Sequence, residues 1–248
     1  MPGNPVIPMK TILQRIPLLI FLAAAVQALA AFESAKLSPD NMLPQFPASL
    51  ITAGVTEGHA TFAVSIGADG KLNDSLPLSY THEGFVTMCR MVMKDWAITP
   101  ARLDGQNVPV QMELRFDFKR EGVVETSTIN ISNHFLESLI PGIFERQYAY
   151  RVARGKELDH APVAVATVNP VYAKEAEKEG VSGKVQVYFY IDEKGEVRFP
   201  SVMADAHPYL SDIAVTALRQ WHFQPPTRHG EPVMIAASQE FDFGGGNK

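Results

Sequence analysis

Hydrophobic and polar residues alternate strictly over 184–191. Val185, Val187, Phe189 and Ile191 fall between Lys184, Gln186, Tyr188 and Tyr190, the two-residue period of a half-buried strand. A turn follows at 192–195 and ends on Gly195, a residue free to take positive φ. Val197, Phe199 and Met203 carry the same period into a return strand. The period then changes. Leu210, Ile213, Ala214, Ala217, Leu218 and Trp221 lie at the spacing of one helix face. Pro208 suits the first turn of that helix, and Pro225 and Pro226 stop it. After a turn at Gly230, the residues Val233, Ile235, Ala237, Phe241 and Phe243 alternate again as a last strand. A short helical run at 173–178, closed by Gly180, opens the stretch. Helix, strand, strand, helix, strand predicts an α+β unit: a three-stranded antiparallel sheet with helices packed on one face.

The same pattern stands 125 positions earlier. Gly58, Ile66, Gly70, His82, Trp96, Pro100, Gly105 and Val108 map without a gap onto Gly183, Ile191, Gly195, His207, Trp221, Pro225, Gly230 and Val233. Phe116 and Phe118 map onto Phe241 and Phe243. Ala60, Phe62, Val64 and Ile66 form a strand face. Phe85, Met88, Cys89, Val92, Met93 and Trp96 form a helix stripe, and 46–52 stands where the first helix should be. The expectation is two tandem domains of one fold at 31–120 and 161–243, joined by 121–160, with a tail at 244–248. Within the join, 123–131 alternates enough to extend a sheet, 134–144 is a short apolar stretch broken by Pro141 and Gly142, and 146–156 is basic and expected to face solvent.

The second unit resembles the C-terminal domain of TonB-family energy transducers. The residues that carry the resemblance are Pro170 and Tyr172, Gly183, the hairpin Ile191, Asp192, Gly195 and Val197, and then His207, Pro208, Leu210 and Ala214. Trp221, Phe223, Pro225, Gly230, Pro232, Val233, Phe241 and Phe243 complete it. The resemblance implies a non-enzymatic protein-interaction module. In that family the last strand pairs with a short extended segment of an outer-membrane transporter. Carried over here, the peptide-binding edge strand is Val233, Met234, Ile235, Ala236, Ala237 and Ser238. The alternative is an envelope scaffold or assembly protein with no transporter contact. The resemblance brings no cofactor, metal or small-molecule substrate, and it leaves the oligomeric state open.

Charge and composition narrow the partner class. Lysine and arginine number 22 against 27 acids, so no basic field invites nucleic acid. Residues 1–30 hold Lys10 and Arg15, no acid, an apolar run from Ile16, and a small-residue pattern at Ala28 and Ala30. This reads as a secretory signal peptide cleaved after Ala30, which predicts a periplasmic protein. The other reading is an uncleaved helix anchored in the inner membrane. After cleavage 20 basic residues face 27 acids, a formal charge of −7. Full transducers of the resembled family carry a histidine in their anchor and a long proline-rich spacer. Here no histidine precedes His59, and 31–47 is short, so direct use of a proton gradient is not expected.

The remaining candidate chemistry is sparse. Seven histidines, at 59, 82, 134, 160, 207, 222 and 229, show no metal-ligand spacing. His82 and His207 stand before equivalent helices and read as helix-start residues bonding local backbone. Trp96 and Trp221 end apolar stripes and read as core. Cys89, the single cysteine, falls on such a stripe and reads as a buried thiol. The acids near Gly70 and Gly195 lack the further oxygen ligands that calcium needs. No phosphate-binding loop, nucleophile elbow or dinucleotide fingerprint occurs.

Overall fold

The computed structural model describes residues 31–120, 124–129, 149–173, 180–202 and 206–244. The expected signal peptide, the stretch 134–144, Met203 and all but the first residue of both the helical run at 173–178 and the tail at 244–248 lie outside the described residues. Helices are few and the sheets are antiparallel, as an α+β chain requires.

A short helix, Ala48–Thr52 (α1), precedes the first sheet. Glu57–Ile66 (β1) pairs with Leu72–Tyr80 (β2), Glu83–Met93 (α2) crosses the sheet face, and Val110–Lys119 (β3) returns beside β1. Gly70 makes the β1–β2 turn at φ 78°, and a Cβ there would collide with the Ile98 carbonyl oxygen. Three strands were expected, with 123–131 as an extension of the sheet; the sheet has five. Val124–Ile129 (β4) lies outside β3 and Tyr150–Arg151 (β5) lies outside β2, in the order β5-β2-β1-β3-β4. The segment 121–160 therefore supplies both edges of the first sheet. Ala60, Phe62, Val64 and Ile66 of β1 meet Leu114, Phe116 and Phe118 of β3 under Phe85, Cys89 and Met93 of α2. Phe85 stacks on Phe118 with ring centroids 4.2 Å apart. Trp96 is 9 % exposed and donates its indole N–H to the Met42 carbonyl at 2.9 Å.

The second sheet is built from Lys184–Ile191 (β6), Val197–Val202 (β7) and Ile235–Asp242 (β8), in the order β7-β6-β8. Pro208–Leu218 (α3) packs Leu210, Ala214 and Leu218 onto Val185, Val187, Ile191, Ile235 and Phe241. The β6–β7 turn closes on Gly195 at φ 84°, where a Cβ would strike the Phe223 carbonyl oxygen. Trp221, expected in the core, is only half-buried. Its indole N–H bonds the Val168 carbonyl at 2.8 Å. Ala164–Ala166 pairs with His222–Phe223, and Thr227–Arg228 pairs with Glu231–Pro232.

The faces turned away from the helices meet each other. Ala63, Leu76 and Leu78 of the first sheet pack with Tyr190, Phe199 and Met234 of the second, around Val152. Two bulges supply this layer. Across β1–β2 the register runs Thr61 to Ser79 and then Phe62 to Pro77, which leaves Leu78 over. Across β6–β7 it runs Tyr190 to Arg198 and then Tyr188 to Ser201, so Phe199 and Pro200 oppose one residue. An inserted residue shifts the side-chain period by one. Phe199, expected on the face of Val197, therefore leaves the helix side, at φ 50°. Arg198 reaches across to Asp74 at 2.6 Å, and the Tyr150 hydroxyl donates to Glu193 at 2.6 Å.

Candidate peptide-binding edge

β8 pairs with β6 from Lys184–Asp242 to Ile191–Ile235 without a break. In an antiparallel ladder every second residue turns its N–H and C=O to the partner. The Phe243 N–H donates to the Gly183 carbonyl at 2.8 Å, in register with that ladder. Hence residues 235, 237, 239 and 241 bond β6, and residues 236, 238, 240 and 242 turn their main chain outward. Ser238, Glu240 and Asp242 are exposed. Among the described residues, no strand pairs with them on that side. The Gln239 side-chain amide donates to the Glu240 carbonyl at 2.8 Å, a local cap on one outward acceptor.

The other end of the edge is taken. The Ala153 N–H donates to the Met234 carbonyl at 2.8 Å, and Ala153 pairs in parallel with Ile235. Val152, just before it, donates to the Leu78 carbonyl at 2.9 Å. One extended piece, 149–153, thus fastens the β2 edge of the first sheet to the start of β8. This corrects the solvent-facing expectation for 146–156: Val152 and Ala153 are buried.

The six residues expected to form the binding edge separate accordingly. Val233 and Met234 lie before the strand and are buried. Val233 donates to the Pro226 carbonyl, and Met234 fills the layer between the sheets. Ile235 belongs to the helix-side core, and Ala237 packs against it. Ala236 faces the inter-sheet layer. Ser238 alone of the six is both exposed and turned outward. Glu240 and Asp242, which complete the open edge, were missed because the expected site stopped at Ser238. Their alternation with Phe241 was the available signal. Lys184 on β6 reaches Glu240 at 2.8 Å and Asp242 at 3.9 Å, so the edge carries two acids and one base.

Elsewhere the chemistry is structural. His82 and His207 hold the N-cap positions of α2 and α3, but neither side chain makes a capping bond. The expectation of local backbone bonding is therefore corrected; His82 instead lies edge-on to Phe85 at 5.9 Å. Cys89 is buried, and desolvation pushes its thiol pKa up, away from reactivity. Asp192 spends its carboxylate on the N–H groups of Lys194 and Glu196 at 3.0 and 2.9 Å and on Arg198 at 3.4 Å. Among the described residues no cluster of histidine, cysteine and acids could hold a metal ion. Burial, then the charge of Glu113, raises the Tyr190 pKa, and burial, then its bond to Glu193, raises that of Tyr150. Both tyrosines stay neutral in the inter-sheet layer, and Tyr150 hydrogen-bonds there through its hydroxyl. Among the described residues no helix is long and apolar enough to cross a membrane.

The open edge lies in a stretch with a known counterpart. Residues 168–244 match the family model of the Gram-negative bacterial TonB protein C-terminal. That match contains β6, β7, α3 and β8, and it supports a TonB C-terminal domain there. Domains of this family are interaction modules, not enzymes, and they contact envelope proteins such as outer-membrane transporters. No curated protein matches the chain.

Proposed function

We propose that this chain is a periplasmic partner-binding protein whose TonB C-terminal domain takes an extended segment of an outer-membrane transporter onto the outer edge of β8. The observation that carries the reading is the exposed edge at Ser238, Glu240 and Asp242, unpaired among the described residues and inside the stretch that matches the family. A main-chain edge binds by hydrogen bonding, which any extended segment supplies, and neighbouring side chains choose among segments. We also read 31–120 as a divergent second copy of the same fold. The shared β2-β1-β3 and β7-β6-β8 orders, the paired turns at Gly70 and Gly195, and the two indole–carbonyl bonds support that reading. On the same reading the signal at 1–30 exports the chain, and the mature protein begins at Ala31.

A photo-crosslinking residue placed at Ser238 in living cells tests the proposal. Transporters recovered with the crosslinked protein support it. Only other envelope proteins, recovered at the same position, would give the molecule to the scaffold reading. One observation favours that rival: residues of the two sheets pack against each other on the faces turned away from the helices, so those faces are occupied within the chain.

A further inference from the structure

The first sheet holds, filled, the place that stands open in the second. The Arg120 N–H donates to the Thr56 carbonyl, in register with the β1–β3 ladder. Even-numbered residues of β3 therefore bond β1, and Glu113, Arg115 and Asp117 turn outward. All three are taken by β4, opposite Ile129, Ser127 and Glu125. Shifted by the 125-residue repeat, they become Ser238, Glu240 and Asp242. Ala153 already occupies the edge up to residue 236. What the bracket leaves free is the same stretch that β4 covers in the first sheet.

From this we infer that the chain carries one strand-accepting window, 238–242, that the first sheet is closed to partners by its own β4, and that the occupant is a single extended segment of another protein. The inference rests on the partner-binding reading above and assigns its stoichiometry, its bounds and its partner chemistry. A second copy of the chain is a poor occupant. A two-fold pairing of β8 with β8 centred on residue 240, 241 or 242 sets an acid directly opposite an acid, which destabilises a sheet, and a pairing centred nearer Ser238 calls on residue 236, where Ala153 already sits. The preferred segment is neutral or basic where it lies over Glu240 and Asp242, and long enough to bond three outward residues. A longer segment meets Ala153, where the bonding groups are already satisfied.

The test uses the full mature chain and two probes, read by backbone amide NMR at millimolar peptide. One probe is a set of periplasm-facing segments of outer-membrane transporters. The other is a synthetic copy of Val124–Ile129 with glutamine in place of Glu125. The window is supported if either probe moves the amides of Ser238, Glu240 and Asp242 at one peptide per chain and leaves Glu113, Arg115 and Asp117 unmoved. N-methylating the peptide at the residues that face β8 should weaken binding about tenfold, since each removes a main-chain bond, while methylating the alternate residues should not. That control leaves the protein unaltered. If the β4 copy binds at the window and no transporter segment does, the window stands and the transporter reading fails. If transporter segments bind but move amides elsewhere, the transporter reading stands and the window fails. Shifts at both sheets, shifts that follow protein concentration without peptide, or none with either probe overturn the window.

Discussion

Glu113, Arg115 and Asp117 in the first sheet and Ser238, Glu240 and Asp242 in the second hold the same place on a last strand, and they meet different neighbours. The first three lie under β4; the second three lie at the surface. The difference comes from the residues that succeed each strand. After β3 the chain turns back within a few residues and pairs with the strand it has just left, the least costly closure available to an edge. β8 runs instead into the glycines of 244–246, which are poor strand formers. An unpaired edge invites aggregation unless something blunts it. Here the bracket at Ala153, the charges of Lys184, Glu240 and Asp242, and the Gln239 cap on the Glu240 carbonyl all blunt it. The lesson is that one fold can be closed or receptive according to a few residues outside its repeat.

The strongest way to break the comparison is through the cores that hold the two edges. Phe85 is fully buried between Phe46 and Phe118. Phe85→Ala should cost about 3–5 kcal/mol, as large buried aromatics do, measured by chemical denaturation. Trp96→Ala should approach that value. Trp221→Ala should cost less, because Trp221 is only partly buried at the rim of its core while Trp96 is 9 % exposed. Equal losses at the two tryptophans would mean that the two halves are supported alike, and the asymmetry between them would fail.

The edge itself gives the next effect. Ala237 bonds β6, so Ala237→Pro removes a ladder bond and leaves a buried acceptor, at a cost of about 1–3 kcal/mol. Ser238→Pro removes an N–H that points to solvent and should leave the melting temperature near wild type while weakening partner binding. If Ser238→Pro unfolds the second sheet and Ala237→Pro does not, the assignment of outward residues is reversed. In the first sheet the main chain of residue 127 turns toward β3, opposite Arg115. Ser127→Pro should loosen β4 and let amides at Glu113, Arg115 and Asp117 respond to peptide for the first time.

Much of this is legible in the sequence alone. The period of two marks β6 at the residues where it lies, and the change to a helical period places α3 with its buried Leu210, Ala214 and Leu218. The bulges are not legible. A residue inserted at Leu78 or Phe199 looks like one more apolar position, and only the partner strand shows that the period has slipped. The fifth strand and the bracket are hidden for a related reason. Tyr150 to Ala153 is short and sits among arginines, so its pairing is decided by which edges stand nearby, a property of the assembled sheets. The open window is half visible. Sequence locates the last strand and its alternation but cannot say which alternate set bonds β6; the Phe243–Gly183 bond fixes that parity.

The smallest expected effect concerns Glu157, which fastens the bracket between the halves. Its carboxylate accepts from Arg151 of β5 at 2.7 Å and from the Arg154 N–H at 3.2 Å, and it lies 3.7 Å from Arg228 in the ribbon that precedes β8. Partial burial alone would raise its pKa. The hydrogen bonds from Arg151 and Arg154 and the charges of both outweigh that, and the carboxyl titrates below its ordinary value of 4.5. A group whose folded pKa is depressed adds stability above its unfolded pKa and loses it as pH falls through the folded one. The contribution is therefore complete at neutral pH and drains away from about pH 4.5 downward. Its side chain is 22 % exposed, so screening keeps the loss to about 1 kcal/mol or less. Glu157→Gln keeps the shape and removes the charge. Unfolding of wild type and variant, compared from neutral pH into the acid range, should show a constant small gap that closes on the acid side. A gap that widens toward acid would mean that Glu157 is not held by its arginines, and that the bracket closing the start of β8 is fastened by Ala153 and Val152 alone.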